Sequence, residues 1–352
     1  VEFRRYELFT QDANAVVLEE GVAPAGQSLA QSKIEAEVKQ YGAYVEVSDL
    51  LDLTSYDPVL TESTELLGEQ LGTVVEWITR DAMCAGTNVQ YANGKTNRLS
   101  LEAGDKLTVT EIRKAVRSLK KAKARMFNNV DGGMVRKPHF VCICSPDATY
   151  DLQSDPLWQD VSKYSDMEQI YSGEIGRLFG VVFVESTEAK VFGQSVHTTV
   201  SAHTAGSAVV TLADISDSAA LFLIAGAKIK IGSTEYTVAS CDAGAKNVTL
   251  SATVSGAIAA GTVVYSEDAG IIENTTKNGT DIHATLVFGA DAYGIIDVDG
   301  EGCLQTIVKP VGSGGASDPL DQRATVGAKV AAFTAKILNN LWIVRVEHGV
   351  SL

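Results

Sequence analysis

The sequence has few of the residues that build redox, metal or membrane-spanning structures. Its five cysteines are an odd number and lie scattered along 352 residues. Cys142 and Cys144 are two positions apart, which differs from the C-x-x-C spacing of redox and zinc sites and puts both on one face of a predicted strand. We interpret the cysteines as buried thiols, a set typical of a reducing cytosol. No apolar run approaches the length of a membrane span.

Basic residues are also scarce. The chain carries 29 Lys and Arg against 44 Asp and Glu, and its net charge is −15 at pH 7. Binding to nucleic acid requires Lys and Arg to replace the counterions of the phosphates, so an acidic surface repels DNA. The composition therefore argues against direct DNA recognition. The length of 352 residues is sufficient for about two or three domains with a substantial core.

The sequence lacks the constellations of an enzyme. Its five histidines include no pair at metal-ligand spacing, and no G-x-S-x-G elbow is present. Asp155, Asp160, Asp166 and Glu168 are close in sequence, but carboxylates are common in this chain and a catalytic pair also needs a shared pocket. We therefore predict no catalytic residue, no metal site and no cofactor.

The start of the chain has the pattern of extended strands. Val1–Phe9 alternates apolar and charged residues, and it is not a signal peptide. Because it begins as a strand and without Met, we expect residues upstream. A polar loop, 10–33, leads to a second alternating stretch from Ile34 to Val47. We expect a projecting hairpin that pairs with another subunit, and the alternative is an ordinary hairpin on the domain's own sheet.

Two segments have the spacing of helices. From Pro58 to about Cys84, apolar residues recur at helical intervals, which predicts a rod about 40 Å long. A second helix is expected from Thr108, which with Glu111 has the spacing of a capping box. Its outer faces carry the one basic cluster of the chain: Arg113, Lys114, Arg117, Lys120, Lys121, Lys123 and Arg125. This cluster either contacts nucleic acid or the acidic face of a neighbour, or it is a solvated helix face.

The rest of the chain alternates strands and helices around one β-rich segment. His139–Ser145 and Gly180–Val184 have strand patterns. Residues 204–268 contain short alternating runs separated by turns, which is typical of a small β-sandwich or barrel. We interpret this segment as an inserted domain because α+β character resumes at Ala284–Phe288. For 321–352 we predict a closing helix followed by a terminal strand.

A glycine-rich stretch, residues 312–328, superficially has the composition of a nucleotide-binding loop. It has three glycines in its first four residues, but G-x-G-x-x-G would need glycine at Ser317, and a P-loop would need Lys followed by Ser or Thr. The stretch therefore matches neither nucleotide-binding motif, and its glycines and Pro319 indicate a loop whose backbone they shape.

An ordered set of short segments resembles the major capsid proteins of N4-like tailed bacteriophages. The set covers nearly the whole chain except residues 200–280. The segments are Val1-Glu-Phe-Arg-Arg-Tyr6, Leu18-Glu-Glu-Gly21, Val38-Lys-Gln-Tyr-Gly-Ala-Tyr-Val45 with Ser48-Asp49, Tyr171-Ser-Gly-Glu-Ile-Gly-Arg-Leu-Phe-Gly180, Val184-Glu-Ser186, Val287-Phe-Gly-Ala-Asp-Ala-Tyr-Gly294 and Ser317-Asp-Pro-Leu320. One departure is Ala328, where the family usually has an aromatic residue; it concerns a packing position.

The resemblance implies an α+β, HK97-like capsid fold with an extended β-hairpin loop, a long spine helix, axial and peripheral domains, and an inserted all-β domain. The implied divisions are 1–50 for the extended loop, with an N-terminal arm upstream, 51–138 for the peripheral domain with the spine helix, 139–200 and 281–320 for the axial domain, 204–268 for an insertion on the outer surface, and 321–352 for the closing helix and strand of the core.

The implied function is structural. The protein would be a major capsid protein that self-assembles into hexamers and pentamers of an icosahedral shell around double-stranded DNA, in virions assembled in the host cytoplasm. Other expected partners are a cement or decoration protein, a scaffold and a portal, with no membrane and no sequence-specific nucleic acid. The alternatives are an encapsulin-like nanocompartment shell protein and a surface or glycan-binding protein. The expected inter-subunit contact residues are Glu20, Gly21, Pro24, Gly26, Arg113, Arg117, Lys120, Gly314, Asp318 and Arg323.

Overall fold

Strands and helices alternate along the chain, in the α+β manner that the sequence predicts. The computed structural model describes residues 1–6, 9, 17, 20, 26–128, 130–131, 134–135, 138–162, 174–215, 223–232, 234–267, 281–297, 304–313, 320 and 322–351. The strands are β1 (Glu2–Tyr6), β2 (Gln31–Glu35), β3 (Lys39–Ser48), β4 (Val89–Tyr91), β5 (Val130–Asp131), β6 (Met134–Val135), β7 (Phe140–Cys144), β8 (Glu174–Leu178), β9 (Val181–Glu185), β10 (Val191–His203), β11 (Val209–Leu212), β12 (Lys228–Ile231), β13 (Thr234–Asp242), β14 (Asn247–Leu250), β15 (Val263–Glu267), β16 (Asp281–Phe288), β17 (Tyr293–Asp297), β18 (Leu304–Lys309), β19 (Arg323–Ile337) and β20 (Ile343–His348).

The helices are fewer, and one of them is much longer than the others. They are α1 (Asp49–Thr54), α2 (Val59–Cys84), α3 (Val109–Lys121), α4 (Pro146–Gln153) and α5 (Pro156–Ser162), with short 3-10 turns at Ala92–Gly94, Arg98–Ser100 and Asn340–Trp342. The predicted long rod is confirmed as α2, which has 26 residues. None of the helices in the described residues is both long and apolar enough to cross a lipid bilayer.

The chain forms two compact units, and each is assembled from segments that are distant in sequence. The first unit comprises Val1–Ala82 and Tyr293–Leu338, and the second comprises Met83–Ala292 and Asn339–Leu352.

The first unit is a sheet with a long helix on one face. β19 lies at its centre, with β3 antiparallel along one edge and β17 and β18 along the other. α2 places Leu67 and Leu71 against Val326 and Val330 of β19. These contacts form because leucines four residues apart share one face of a helix, whereas alternate residues of a strand share one face of a sheet. The core of the unit therefore lies between α2 and one sheet face.

The segment for which we predicted a closing helix is a strand. Arg323–Ile337 forms β19 and is paired along both edges. Its Ala and Lys content favours a helix locally, but its burial has a period of two. Ala324, Val326 and Val330 are at most 1% exposed, while Lys329 is exposed. Pairing with distant strands therefore overrides the local helix propensity. The terminal strand predicted after it is confirmed as β20.

The second alternating stretch near the start of the chain divides into two strands with different partners. β2 pairs antiparallel with β1 in a two-stranded ribbon. Phe3 of this ribbon covers Gly294 so closely that an added Cβ there would lie 2.7 Å from the ring. β3 pairs instead with β19 of the same chain. The prediction of a partner strand on another subunit is therefore wrong for β3.

The sheet of the second unit is built around β16. β20 pairs antiparallel along one edge, and β7 and the start of β10 pair along the other. β9 continues the sheet parallel to β7, and β4 pairs parallel to β20. α3 packs on this sheet with Ile112 and Leu119 in one core cluster with Phe140 and Val346. The strands predicted in these segments are confirmed.

The two neighbouring cysteines of β7 are buried free thiols, as expected. Cys142 and Cys144 are both 0% exposed and contribute to the core. Burial raises the pKa of the Cys142 thiol well above its usual value, and a hydrogen bond from Cys142 lowers the pKa of Cys144. Their role is packing, because neither thiol is accessible to a reagent or substrate in the folded chain.

The N-terminus of α3 differs from the predicted capping box. Thr108 occupies the N-cap position but its side chain caps no N–H. The Val109 N–H donates instead to Asp155 Oδ2 at 3.0 Å. Glu111 accepts from the Gln90 side chain at 2.8 Å and pairs with Lys114 at 2.7 Å, so it does not reach back to the cap. A carboxylate distant in sequence thus replaces the local motif.

The β-rich segment is confirmed as an all-β module, continuous with the sheet of the second unit. β10 pairs first with β16, then with β15, and finally with β11. The module therefore begins within β10, a few residues before the predicted boundary at 204. Its own core contains the fully buried side chains of Val210, Ile229, Val248 and Val264. Its Glu235 side chain accepts a hydrogen bond from Asn97, which anchors the module to the same unit.

Candidate functional site

The most enzyme-like arrangement in the second unit is a Ser–His–Asp set, and its role is structural. Ser145 Oγ lies 2.6 Å from Nδ1 of His283, and Nε2 of His283 lies 3.8 Å from Asp147. Ser145 Oγ also caps α4 by accepting from the Ala148 N–H at 3.3 Å. Ser145 and His283 are 4% and 5% exposed, so no substrate reaches them. Within the described residues, no group of three or more His, Cys, Asp or Glu is placed to hold a metal ion.

A second buried imidazole stacks on the first. The His348 ring lies 6.2 Å from that of His283. Its Nδ1–H donates to the Gly349 carbonyl at 2.8 Å, and its Nε2 accepts from the Thr285 hydroxyl at 2.9 Å. Burial lowers the pKa of His348 to about 4. This histidine is therefore neutral at pH 7 and acts as part of the core.

An ion pair is buried beside these histidines. Arg98 forms two hydrogen bonds to Glu347, at 2.7 and 2.8 Å, and Nε of Arg345 lies 2.8 Å from the same carboxylate. The Arg98 guanidinium also lies 3.7 Å from the centre of the Phe192 ring. Since the carboxylate of Glu347 is completely buried, these cations are required to compensate its charge.

Three predicted contact residues lie together on the outer face of α3. Arg113, Arg117 and Lys120 are exposed. The Arg113 guanidinium lies 5.0 Å from the centre of the Phe179 ring. Within the part of the chain that the structure describes, Arg117 and Lys120 have no carboxylate within ion-pair distance. The helix thus presents uncompensated positive charge in a chain whose net charge is −15.

A groove runs along one side of this basic helix. It has a volume of about 570 Å³, and its lining includes Lys95, Lys114, Arg117, Lys121 and Tyr91. Because cations predominate in the lining, the groove favours an acidic ligand over an apolar one.

The other predicted contact residues are in separate segments. Glu20 and Gly26 are exposed. Arg323, at the start of β19, pairs with Glu46 of β3 at 2.9 Å, with both side chains largely exposed. Gly21, Pro24, Gly314 and Asp318 lie outside the described residues. Gly312 has φ +88° in the turn after β18, as expected for a glycine that shapes the backbone, but the far end of the 312–328 stretch belongs to β19 rather than to a loop.

An apolar ridge follows β3, and the sequence analysis missed it. Leu50, Leu51 and Leu53 of α1 are 66%, 48% and 85% exposed, and Tyr56 is fully exposed at 102%. α1 has only six residues and buries none of them. A helix this short is marginal without tertiary contacts, so the ridge has the character of a surface that another molecule covers. The sequence signal is a group of three leucines in a helix of only six residues, which is too short to bury them against its own unit.

The outer face of the first unit's sheet contains an apolar notch, which sequence analysis also missed. Gly327 of β19 is paired with Tyr44 of β3 on one side and Ile307 of β18 on the other. The glycine leaves a cavity of about 220 Å³, which Gly42 and Lys329 also line. Tyr44 and Ile307 are 72% and 42% exposed. The notch depends on a strand pairing between residues more than 250 positions apart, which no local pattern reveals.

Comparison with known proteins identifies the family. The profile of a family described as phage capsid protein matches residues 79–280, more than half of the chain. No curated protein sequence matches.

Several solved phage capsids have the same fold. The capsid of Ralstonia phage GP4 is 12% identical, with coverage of 100% of this chain and 84% of that chain and a TM-score of 0.59. The cyanophage Pam1 capsid is 12% identical, with coverage of 99% and 84% and a TM-score of 0.58. The head of Helicobacter pylori bacteriophage KHP40 is 11% identical, with coverage of 100% and 85% and a TM-score of 0.55. With its α+β, HK97-like fold, the chain belongs to the phage capsid protein family, whose members form the shell of the virion.

Proposed function

We propose that the protein is the major capsid protein of an N4-like tailed phage, and that its copies assemble as hexamers and pentamers into an icosahedral shell around double-stranded DNA. The observation that carries this proposal is the family match over residues 79–280. The match to solved capsids along nearly the full chain supports it. Assembly takes place in the host cytoplasm, with a scaffold, a portal and a cement protein as further partners.

The surfaces of the protein suit assembly better than catalysis. The apolar ridge and the notch are exposed in the single chain, and the β1–β2 ribbon has only two strands. A two-stranded hairpin is only marginally stable by itself, and a neighbouring subunit that covers the ribbon stabilises it. We assign residues 1–50 to the extended loop, α2 to the spine helix, and the segments 139–200 and 281–292, which belong to one compact unit, to the axial domain. The stretch that begins at Tyr293 belongs to the unit of α2 instead, so the axial domain is shorter than the predicted 281–320. The β-rich module, 204–268, is displayed on the outer surface.

The charge of the chain suits a container for DNA. With a net charge of −15, the wall repels phosphate, so packaged DNA moves along it without sequence-specific contacts. The basic face of α3 is the exception, and an acidic face of a neighbouring subunit is its partner. Many such contacts, each weak, give a stable closed array.

The experiment that tests the proposal is deletion of the extended loop followed by sedimentation and electron microscopy. Because β2 begins at Gln31, removal of residues 10–25 spares the β1–β2 pairing, whereas removal of 10–33 also truncates β2. The shorter deletion is expected to leave a folded subunit that forms no stable shells. The matched control shortens the exposed β13–β14 turn at 243–246 and is expected to form normal shells.

Normal shells from the 10–25 deletion would rule out the role of the loop. Nucleic acid within shells produced during infection is the second expected result. Shells that enclose protein cargo instead would identify a nanocompartment and refute the assignment to a phage.

A further inference from the structure

The apolar ridge and the notch match each other in size and charge. The tip of the ridge is formed by Tyr56 and Leu53, which are 102% and 85% exposed. A cavity of about 220 Å³ is several times the share of one water molecule, roughly 30 Å³, and is large enough for an aromatic ring. Exposed carboxylates, Asp52 and Asp57, flank the tip, while Lys329 lines the notch. The tip of the ridge therefore fits the notch in size, and the charges beside the two surfaces are opposite.

We propose that Tyr56 and Leu53 of one copy of this chain insert into the Gly327 notch of a second copy. This inference rests on the proposed function, since it assigns one of the contacts by which the shell assembles. Within one chain, Tyr56 is fully exposed, so its own notch does not hold it. Every copy carries both the ridge and the notch. In the proposed capsomers the contact is heterologous, since each copy uses its ridge on one neighbour and its notch on the other, and it generates rings where the rotation between copies closes.

The chemistry of the contact follows from the residues that line it. The Tyr56 ring packs against Tyr44 of the partner copy, because offset or edge-on arrangements of two aromatic rings are favourable. Leu53 covers Ile307, which removes both apolar side chains from water. Lys329 meets the carboxylates beside the tip at the rim of the contact, where charge sets orientation and association rate. An aromatic residue in a pocket is the usual energetic centre of a protein interface.

Filling the notch tests the contact without harming the fold. A Cβ at Gly327 would lie 3.5 Å from Cβ of Tyr44, which is ordinary van der Waals contact. Valine is favoured in strands, so Gly327→Val is expected to keep or raise the thermal stability of the subunit. It is also expected to raise the protein concentration needed for assembly by about tenfold or more. Tyr56→Ser removes the tip and is expected to have the same effect on assembly.

The matched control is Tyr150→Ser, which changes a tyrosine of α4 that is 67% exposed and lies outside both surfaces. It is expected to assemble like the unmodified protein. Unchanged assembly of both Gly327→Val and Tyr56→Ser would overturn the proposal.

A crosslinking experiment separates failure of this contact from failure of the proposed function. Chains with Tyr56→Cys are mixed with chains with Ile307→Cys under oxidising conditions, and the joined peptides are identified by mass spectrometry. A disulfide between the two introduced thiols is expected. Two results together would refute the contact and leave the proposed function intact. The cysteine variants would form shells without this disulfide, and Gly327→Val would assemble normal shells. A disulfide between copies that never form shells would support the contact and refute the proposed function.

Discussion

Replacement of His348 by glutamine is expected to remove much of the acid sensitivity of the second unit. Burial lowers the pKa of His348 from 6.5 to about 4. Above pH 6.5 the imidazole is neutral in both the folded and the unfolded chain, so its contribution to stability is complete. Between pH 6.5 and about pH 4 the His348 side chain binds a proton in the unfolded chain but not in the folded chain, so the free energy of unfolding falls as the pH falls.

The size of this effect follows from the difference between the two pKa values. The shift from 6.5 to about 4, at about 1.4 kcal/mol per pKa unit, corresponds to a loss of about 3 kcal/mol. The charged and titratable groups facing His348 are His283, Asp151 and Glu347. Burial alone raises the pKa of Asp151, but hydrogen bonds from Ser351 and Lys106 lower it overall, below 3.8. The stability that Asp151 contributes is therefore lost only below the window in which His348 titrates.

The assay is chemical unfolding of the full chain at intervals between pH 6.5 and 4, with amide hydrogen exchange in β20 reporting on the second unit. Glutamine cannot titrate, so the His348→Gln protein is expected to be less stable at neutral pH but to lose about 3 kcal/mol less on acidification. The control His203→Gln, in the β-rich module, is expected to keep the full acid dependence. An acid dependence of His348→Gln equal to that of the unmodified protein would refute the assignment of the effect to this histidine.

Two further substitutions test the packing of the two units by chemical unfolding. Arg98→Met leaves Glu347 buried with one cation fewer and is expected to lower the free energy of unfolding by about 3–5 kcal/mol. Adding Glu347→Gln should recover part of this loss. If Arg98→Met left the stability unchanged, the account of this ion pair would be contradicted. Leu71→Ala in α2, at a position 3% exposed, is expected to cost about 2–5 kcal/mol. Leu66→Ala, on the exposed face of the same helix, should change stability by less than about 0.5 kcal/mol, and equal effects at both positions would contradict the packing of α2 on β19.

Local patterns predicted the elements whose own sequence determines them. α2 follows from an apolar stripe that persists over 26 residues, and the strands of the β-rich module follow from alternation between turns. β19 was not predictable in this way, because its Ala and Lys favour a helix and its partners β3 and β18 come from elsewhere in the chain. The capping box predicted for α3 was wrong for a similar reason, since the capping carboxylate belongs to Asp155, 46 positions from Val109.

The candidate contact surfaces were predictable only in part. The basic residues of α3 were found because helical spacing and charge are both visible in a sequence. The leucines of α1 were not, because an apolar residue is expected to be buried unless a structure shows otherwise. The notch was invisible for a different reason, since it combines residues from three strands. That the chain is a phage capsid protein, by contrast, was indicated by short ordered segments spread over most of its length.

The central claim, that this chain builds the shell of a virion, is tested most directly by cryo-electron microscopy of the protein expressed alone or with its scaffold. The account predicts closed icosahedral particles in which hexamers and pentamers of this chain form the wall, each subunit with the β16-centred sheet and the α2–β19 unit described above. A protein that stays monomeric or dimeric under all assembly conditions, or that forms only open aggregates, would contradict it.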